Sequence, residues 1–233
     1  KTVSEPFSEE AEELLREDPQ SLRRYVGSQA FLDDLLSYDP PLDLRTEVFF
    51  FVLLYQLRRK FRRDEEFRQE FRESFLSTSD RSWSPESVER FLDDGRLLHY
   101  LVDLLDTFVD SETVHTVPGM EDQEFRYVFE MIEASQTSGE RQSYRIFRHI
   151  GDYSLYLTGV FPDWIRYRHE RKNRPMDVDD YSDFGRTYFN KASKHRLARE
   201  KRMEPVFKKL SEGYDLVRTS LEMLFKKVVP VFQ

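Results

Sequence analysis

The sequence has no cysteine and little glycine or proline, and these scarcities exclude several classes of structure. Without cysteine, the 233 residues can form neither disulfides nor thiolate metal sites, and a cysteine nucleophile is excluded. Only 8 Gly and 10 Pro leave too little turn chemistry for a many-stranded β fold. The longest strictly apolar run, 48–55, is far shorter than the roughly 20 residues that span a bilayer. No apolar segment of a secretory signal precedes it, so we expect a cytoplasmic protein without membrane contact.

The net charge of the chain is negative, and this argues against two classes of binding partner. There are 36 Lys and Arg against 44 Asp and Glu, a formal net charge of −8. Nucleic acids and anionic membranes are bound by neutralising phosphate, so the sequence argues against both as general partners.

What the chain has in quantity is aromatic and charged residues in helical periodicity. The aromatic fraction is 15% and the charged fraction 34%. This many aromatic rings can offset the entropy cost of ordering the chain. The sequence predicts an all-α fold, a single-domain multi-helix bundle of about eight to ten helices over 1–233. A division into sub-bundles 1–110 and 120–233 stays open.

Helix-start signals and breakers set the expected elements. We expect a central helix over 42–61, because 48–55 is apolar on nearly every side. The Ser84-Pro85 pair predicts another helix start. Further segments are predicted as follows: helices over 8–16, 21–38, 121–135, 140–160, 180–199 and 203–228, with an irregular basic connection at 166–174.

The last predicted helix carries a heptad pattern. Its apolar residues alternate spacings of four and three: Met203, Phe207, Leu210, Tyr214, Val217, Leu221, Leu224 and Val228. Such a seam is typical of a helix packed inside a bundle, and a homodimer seam is the alternative.

A polar stripe on the 140–160 helix is the first candidate site. Arg145, His149, Asp152 and Tyr156 lie on one side of a helix by their spacing. Histidine and aspartate one turn apart can form a site or a salt-bridged helix face. If the 180–199 helix packs alongside, a candidate pocket would unite five residues: His149, Asp152, Tyr156, Tyr188 and His195. A structural role predicts Asp152 paired with an arginine, whereas a site predicts it beside a cavity.

The basic segment is the second candidate. Its cations, interleaved with Tyr167, suit an anion: Arg166, Arg168, Arg171, Lys172 and Arg174. The alternative is a solvated surface, as charged runs usually are.

Motifs of metal and nucleotide chemistry are missing. The sole Glu-x-x-His match, Glu112 to His115, falls in a predicted loop, whereas di-iron bundles need two such matches on helices. Zinc His-Glu-x-x-His, phosphate-loop and Gly-x-Ser-x-Gly patterns are absent. We therefore expect no metal and no cofactor.

A short region resembles known sequences. Residues 149–162, followed by Asp180-Tyr181 and Phe184-Gly185-Arg186, are similar to segments of uncharacterised all-helical bacterial proteins through a Gly-Asp-x-x-Leu-x-x-x-Gly-x-Phe pattern. The resemblance implies a bacterial helical protein and carries over no activity.

The functional expectation is a non-catalytic interaction or regulatory module that binds another protein or its own copy. One alternative is a small-ligand or metal-dependent enzyme with a site between the helices 140–160 and 180–199. Another is binding of an anionic polymer through 166–174.

Overall fold

The computed structural model describes residues 46–76, 91–109, 116–120, 122–125 and 127–228, with the backbone alone at 227 and 228. Ten helices form within these ranges, and they define an all-α multi-helix fold. They are α1 (Thr46–Arg63), α2 (Glu65–Leu76), α3 (Gly95–Thr107), α4 (Val128–Thr137), α5 (Glu140–Val160), α6 (Pro162–Lys172), α7 (Val178–Lys194), α8 (Arg196–Glu200), α9 (Glu204–Glu212) and α10 (Tyr214–Val228). The helices predicted over 8–16 and 21–38, the Ser84 start and the Glu112–His115 match lie outside the described residues.

Helix α5 lies at the centre of the described structure, with α4, α6, α7 and α10 packed around it. The sequence placed α1 there, and this was wrong: Val48 and Phe51 of α1 are 42% and 44% exposed. The central helix is distinguished by small residues, since Gly151 and Gly159 let neighbours approach closely. An apolar run indicates only that its side chains are favourably removed from water. A helix at the centre of a bundle must also let neighbouring helices approach closely on every side.

Two glycines of α5 are sites of tight packing. A Cβ at Gly151 would lie 2.8 Å from the Phe189 ring of α7, and one at Gly159 would lie 2.9 Å from Leu221 of α10. Both neighbours are fully buried. The core therefore has α7 and α10 seated directly on the backbone of α5.

The heptad residues are buried inside this chain. The described members from Phe207 to Leu224 are at most 1% exposed and belong to the common core. The bundle interpretation of the seam is thereby supported. The prediction of one continuous helix was wrong: α9 ends at Glu212 with Gly213 as its C-cap, and α10 starts at Tyr214. A Cβ at Gly213 would lie 2.5 Å from the Phe91 ring, which packs against the break.

Three other boundaries differ from the prediction. The basic connection is mostly helical, because Pro162 ends α5 and occupies the first turn of α6, where its missing N–H costs nothing. The 180–199 segment breaks at His195, which caps α8. The 121–135 helix begins only at Val128, after an isolated antiparallel bridge between Thr116 and Glu124.

Helices from both halves of the chain share contacts. α10 packs against α1 and α2, and α3 packs against α5 and α9. One hydrophobic core cluster includes residues from both predicted sub-bundles. The assignment of 1–233 to a single domain stays a prediction.

Candidate functional site

The polar stripe of α5 is mostly engaged in internal contacts. Asp152 is 6% exposed; its Oδ1 accepts a 2.5 Å hydrogen bond from the Tyr100 hydroxyl, and its Oδ2 accepts one of 3.1 Å from Arg148 Nε. Arg145 donates to the Gly119 carbonyl oxygen at 2.7 Å. Asp152 paired with Arg148 is the outcome that a structural role predicts.

Burial dominates the electrostatics of Asp152. Desolvation raises the pKa of its carboxyl to about 6, although the charge of Arg148 and the hydrogen bonds from Tyr100 and Arg148 act to lower it. Desolvation likewise raises the pKa of Tyr100. The cluster carries a perturbed titratable group, as functional sites do, but both carboxylate oxygens are already in use.

The five residues of the predicted pocket have different neighbours. His149 makes ring contacts with Phe108 and Tyr153, and Tyr156 stacks on Phe108 at 5.0 Å between centroids. On the α7 side, Tyr188 contacts Phe147 at 5.7 Å between centroids, and His195 contacts both Phe147 and Tyr144. His195 Nδ1 also accepts a hydrogen bond from Leu197 N.

The basic segment separates into paired and available cations. Arg166 forms ion pairs with Asp163 (2.5 Å) and with the buried Glu222 of α10 (3.5 Å). The pair with Glu222 joins α6 to α10, and both carboxylates compensate the charge of Arg166. Arg171 and Lys172 are exposed in the last turn of α6.

Arg168 and Arg174 instead line a groove on the surface. The Arg168 guanidinium carbon lies 4.4 Å from the Trp164 ring centroid, a cation–π contact. Asn173 ends α6 in the left-handed conformation (φ 49°), and the Arg174 N–H bonds to the Arg168 carbonyl oxygen. This turn brings Arg174 to the same groove as Arg168.

The groove is an aromatic surface cavity of about 630 Å³ between α4, α5, α6 and the start of α7. We call it the aromatic groove. Its lining residues are Glu124, Tyr127, Val128, Phe129, Tyr153, Leu157, Trp164, Ile165, Arg168, Arg174, Pro175, Met176 and Tyr181. Its size and apolar walls with a few polar groups are typical of ligand sites.

The charges of the aromatic groove are unbalanced toward positive. Within the described part of the chain, neither Arg168 nor Arg174 has a carboxylate within 4.0 Å. Burial raises the pKa of the Tyr181 hydroxyl; the charges of Arg168 and Arg174 act to lower it, and that of Asp180 acts to raise it. Burial also raises the pKa of the Tyr153 hydroxyl. Both hydroxyls therefore stay protonated and able to donate hydrogen bonds.

Sequence reasoning identified the two arginines of this groove but none of its rings. One local signal was available: Trp164 precedes Arg168 by four residues, the spacing of neighbours on a helix face. Tyr127, Phe129 and Tyr181 carried no comparable signal. They reach the groove because α4 and α7 both pack against α5, and Phe129 of α4 contacts Phe184 of α7 at 5.8 Å between ring centroids.

Among the described residues, no group of three or more His, Asp or Glu is arranged to hold a metal ion. None of the described helices combines the length and the apolar character that crossing a bilayer requires. No family model, no curated protein and no solved structure matches the chain.

Proposed function

We propose that this protein is a non-catalytic binding module whose ligand is a small organic anion held in the aromatic groove. The observation that carries the proposal is the pair Arg168 and Arg174, without ion-pair partners among the described residues, at the edge of an aromatic cavity. Guanidinium groups bind carboxylate and phosphate in a planar, often bidentate geometry. Apolar walls beside such donors supply affinity, and the donors supply orientation.

The enzyme alternative has weaker support. At Gly151 the two helices α5 and α7 leave no space for a substrate, since the Phe189 ring lies 2.8 Å from where a Cβ of Gly151 would be. The open space between them is the aromatic groove, which His149, Asp152, Tyr188 and His195 do not line. The polar group nearest to catalytic chemistry, Asp152, is bonded on both oxygens to Tyr100 and Arg148. A base or nucleophile needs an oxygen available to the reacting group.

Binding of an anionic polymer also has weaker support. A polymer needs a continuous run of unpaired cations, and Arg166 is engaged by Asp163 and Glu222. The two remaining exposed cations of the helix end, Arg171 and Lys172, lie outside the aromatic groove.

A protein partner fits the exposed rings Tyr127, Phe129 and Trp164, but the concave shape of the aromatic groove favours a small ligand.

The proposal is tested with 1-anilinonaphthalene-8-sulfonate, a fluorescent aromatic anion. We expect the native protein to bind it, and the double variant R168Q/R174Q to bind about tenfold more weakly or worse, since a charge-assisted hydrogen bond contributes about 1.5–3 kcal/mol. The matched control is R171Q/K172Q, which removes the same charge from the same helix end but outside the groove. Thermal unfolding of each variant verifies the fold.

Two results would contradict the proposal. One is an R168Q/R174Q variant that binds the probe as tightly as the native protein. The other is an equal loss in R168Q/R174Q and R171Q/K172Q, which would mean that the probe responds to net charge and not to the groove.

A further inference from the structure

We infer that the ligand of the aromatic groove is a planar aromatic molecule with a single negative charge, for which an aromatic carboxylate is the simplest chemistry. This inference rests on the proposed function and narrows it. Three observations carry it: the ring surfaces of the groove, its net charge and its size.

The ring surfaces favour a flat occupant. Three large rings of the lining are about half exposed, Tyr127 at 52%, Phe129 at 54% and Trp164 at 44%. Tyr153 and Tyr181 form the deeper wall and lie 6.3 Å apart edge to face. Offset and edge contacts with an aromatic ligand stabilise the complex beyond the contribution of the area they bury. An alkyl chain gains the area alone.

The cation–π contact with Trp164 leaves the N–H donors of Arg168 available to a ligand. The guanidinium carbon lies 4.4 Å from the ring centroid, and the ring attracts the positive charge without using up the N–H donors. A guanidinium in such a contact stays protonated and keeps its in-plane donors. The ring of Trp164 thus holds Arg168 in position for a carboxylate at the edge of the groove.

The charge of the lining matches one negative charge. Its described ionised groups are Arg168, Arg174 and Glu124, two positive charges and one negative, a sum of +1. A carboxylate brings that sum to zero. A phosphate monoester, with about −1.5 to −2 charges near pH 7, leaves excess negative charge close to Glu124. The groove therefore favours a monoanion over a phosphorylated compound.

The size of the aromatic groove suits a ligand with one ring or two fused rings. Ligand sites of small molecules are about 300–1,000 Å³, and the aromatic groove, at about 630 Å³, lies in the middle of that range. Naphthalene derivatives are therefore appropriate test compounds.

The test is competition against 1-anilinonaphthalene-8-sulfonate at neutral pH with four compounds. We expect 2-naphthoate to compete best. Its neutral isostere 2-naphthamide lacks the charge, and decanoate lacks the rings, so each should compete about tenfold more weakly or worse. Decanoate is used below its micelle concentration. The dianion 2-naphthyl phosphate should compete no better than 2-naphthoate.

Glu124 provides the decisive variant. We expect E124Q to strengthen binding of 2-naphthyl phosphate severalfold more than binding of 2-naphthoate, because the second negative charge no longer meets a carboxylate. The control is E133Q, an exposed glutamate of α4 outside the groove lining, which should leave the ratio of the two affinities unchanged.

Trp164 locates the binding event. The sequence has two tryptophans, Trp83 and Trp164, so W83F leaves the groove tryptophan as the only one. We expect 2-naphthoate to change the Trp164 fluorescence over the same concentrations at which it displaces the probe. Displacement without that change would place the site elsewhere and overturn the inference.

The outcomes separate the inference from the proposed function. If decanoate competes as well as 2-naphthoate, or the phosphate competes better, the inference fails while binding of organic anions stands. If the probe does not bind, or binds R168Q/R174Q as it binds the native protein, the proposed function fails and the inference fails with it.

Discussion

Asp152 and Arg148 form an ion pair across one turn of α5, with 3.1 Å between Oδ2 and Nε, and the aspartate is 6% exposed. Desolvation raises the pKa of the carboxyl to about 6 in the folded chain, against an ordinary value of 3.8. The folded state therefore holds this proton more tightly than the unfolded state. Asp152 stabilises the fold fully below about pH 4, and that contribution is lost as pH rises through 6.

The first prediction follows from this sign. In native protein, the Asp152 contribution to the free energy of unfolding should decrease by about 2 kcal/mol between pH 4 and pH 7, which is most of the full effect at about 1.36 kcal/mol for each pKa unit. In D152N this component disappears, so the difference in stability between native protein and variant should change across that window. Urea unfolding at a series of pH values measures it, with E133Q as control. A difference independent of pH would contradict the prediction.

The second prediction concerns the contact of α5 with α7. G151A places a Cβ 2.8 Å from the Phe189 ring, and such overpacking typically costs about 1–3 kcal/mol. The matched control is G95A in the first turn of α3, where a Cβ meets nothing within 4 Å. Urea unfolding should show a loss for G151A and little change for G95A. Equal stabilities would mean that α7 does not pack on Gly151.

The third prediction concerns a buried charge cluster. Glu222 accepts from Lys226 at 2.8 Å and lies 3.6 Å from Arg218, whose side chain is 2% exposed. E222Q removes the charge that compensates the buried Arg218 guanidinium. We expect it to lower the free energy of unfolding by about 3–5 kcal/mol, as the loss of one partner of a buried ion pair typically does.

The control for E222Q is E200Q, which breaks the exposed pair with Arg196 and should cost about 1 kcal/mol or less. The midpoint of thermal unfolding separates the two variants. An E222Q protein as stable as E200Q would show that Arg218 does not depend on Glu222.

The fourth prediction concerns self-association. The heptad residues from Phe207 to Leu224 are buried within one chain, so they cannot also form an exposed homodimer seam. We expect sedimentation of the protein at tens of micromolar to give a monomer. L221A should lower the free energy of unfolding by about 2–5 kcal/mol, as cavity formation in a core does, without changing the sedimentation coefficient. A dimer that L221A dissociates would contradict this prediction.

The predictions from the sequence differ most from the structure at the candidate sites. The basic cluster predicted Arg166, Arg168 and Arg174 as members of one anion-binding set, but Glu222 of α10 engages Arg166 in an ion pair. Helical periodicity placed His149 and His195 in one pocket, whereas their ring contacts are with different aromatic residues. Partners on other elements decide both matters, and no local pattern records them.

The sequence by itself determined the all-α class, the heptad positions between 203 and 228 and the exclusion of cysteine chemistry. Periodicity and composition suffice for these, because helical geometry repeats every few residues and the side-chain inventory is independent of the fold. Only the tertiary structure decided that α5 is central and that rings from α4, α5, α6 and α7 meet around Arg168 and Arg174. That outcome depends on non-local packing, such as Phe189 seated on Gly151, whose energy comes from shape complementarity between residues far apart in the chain.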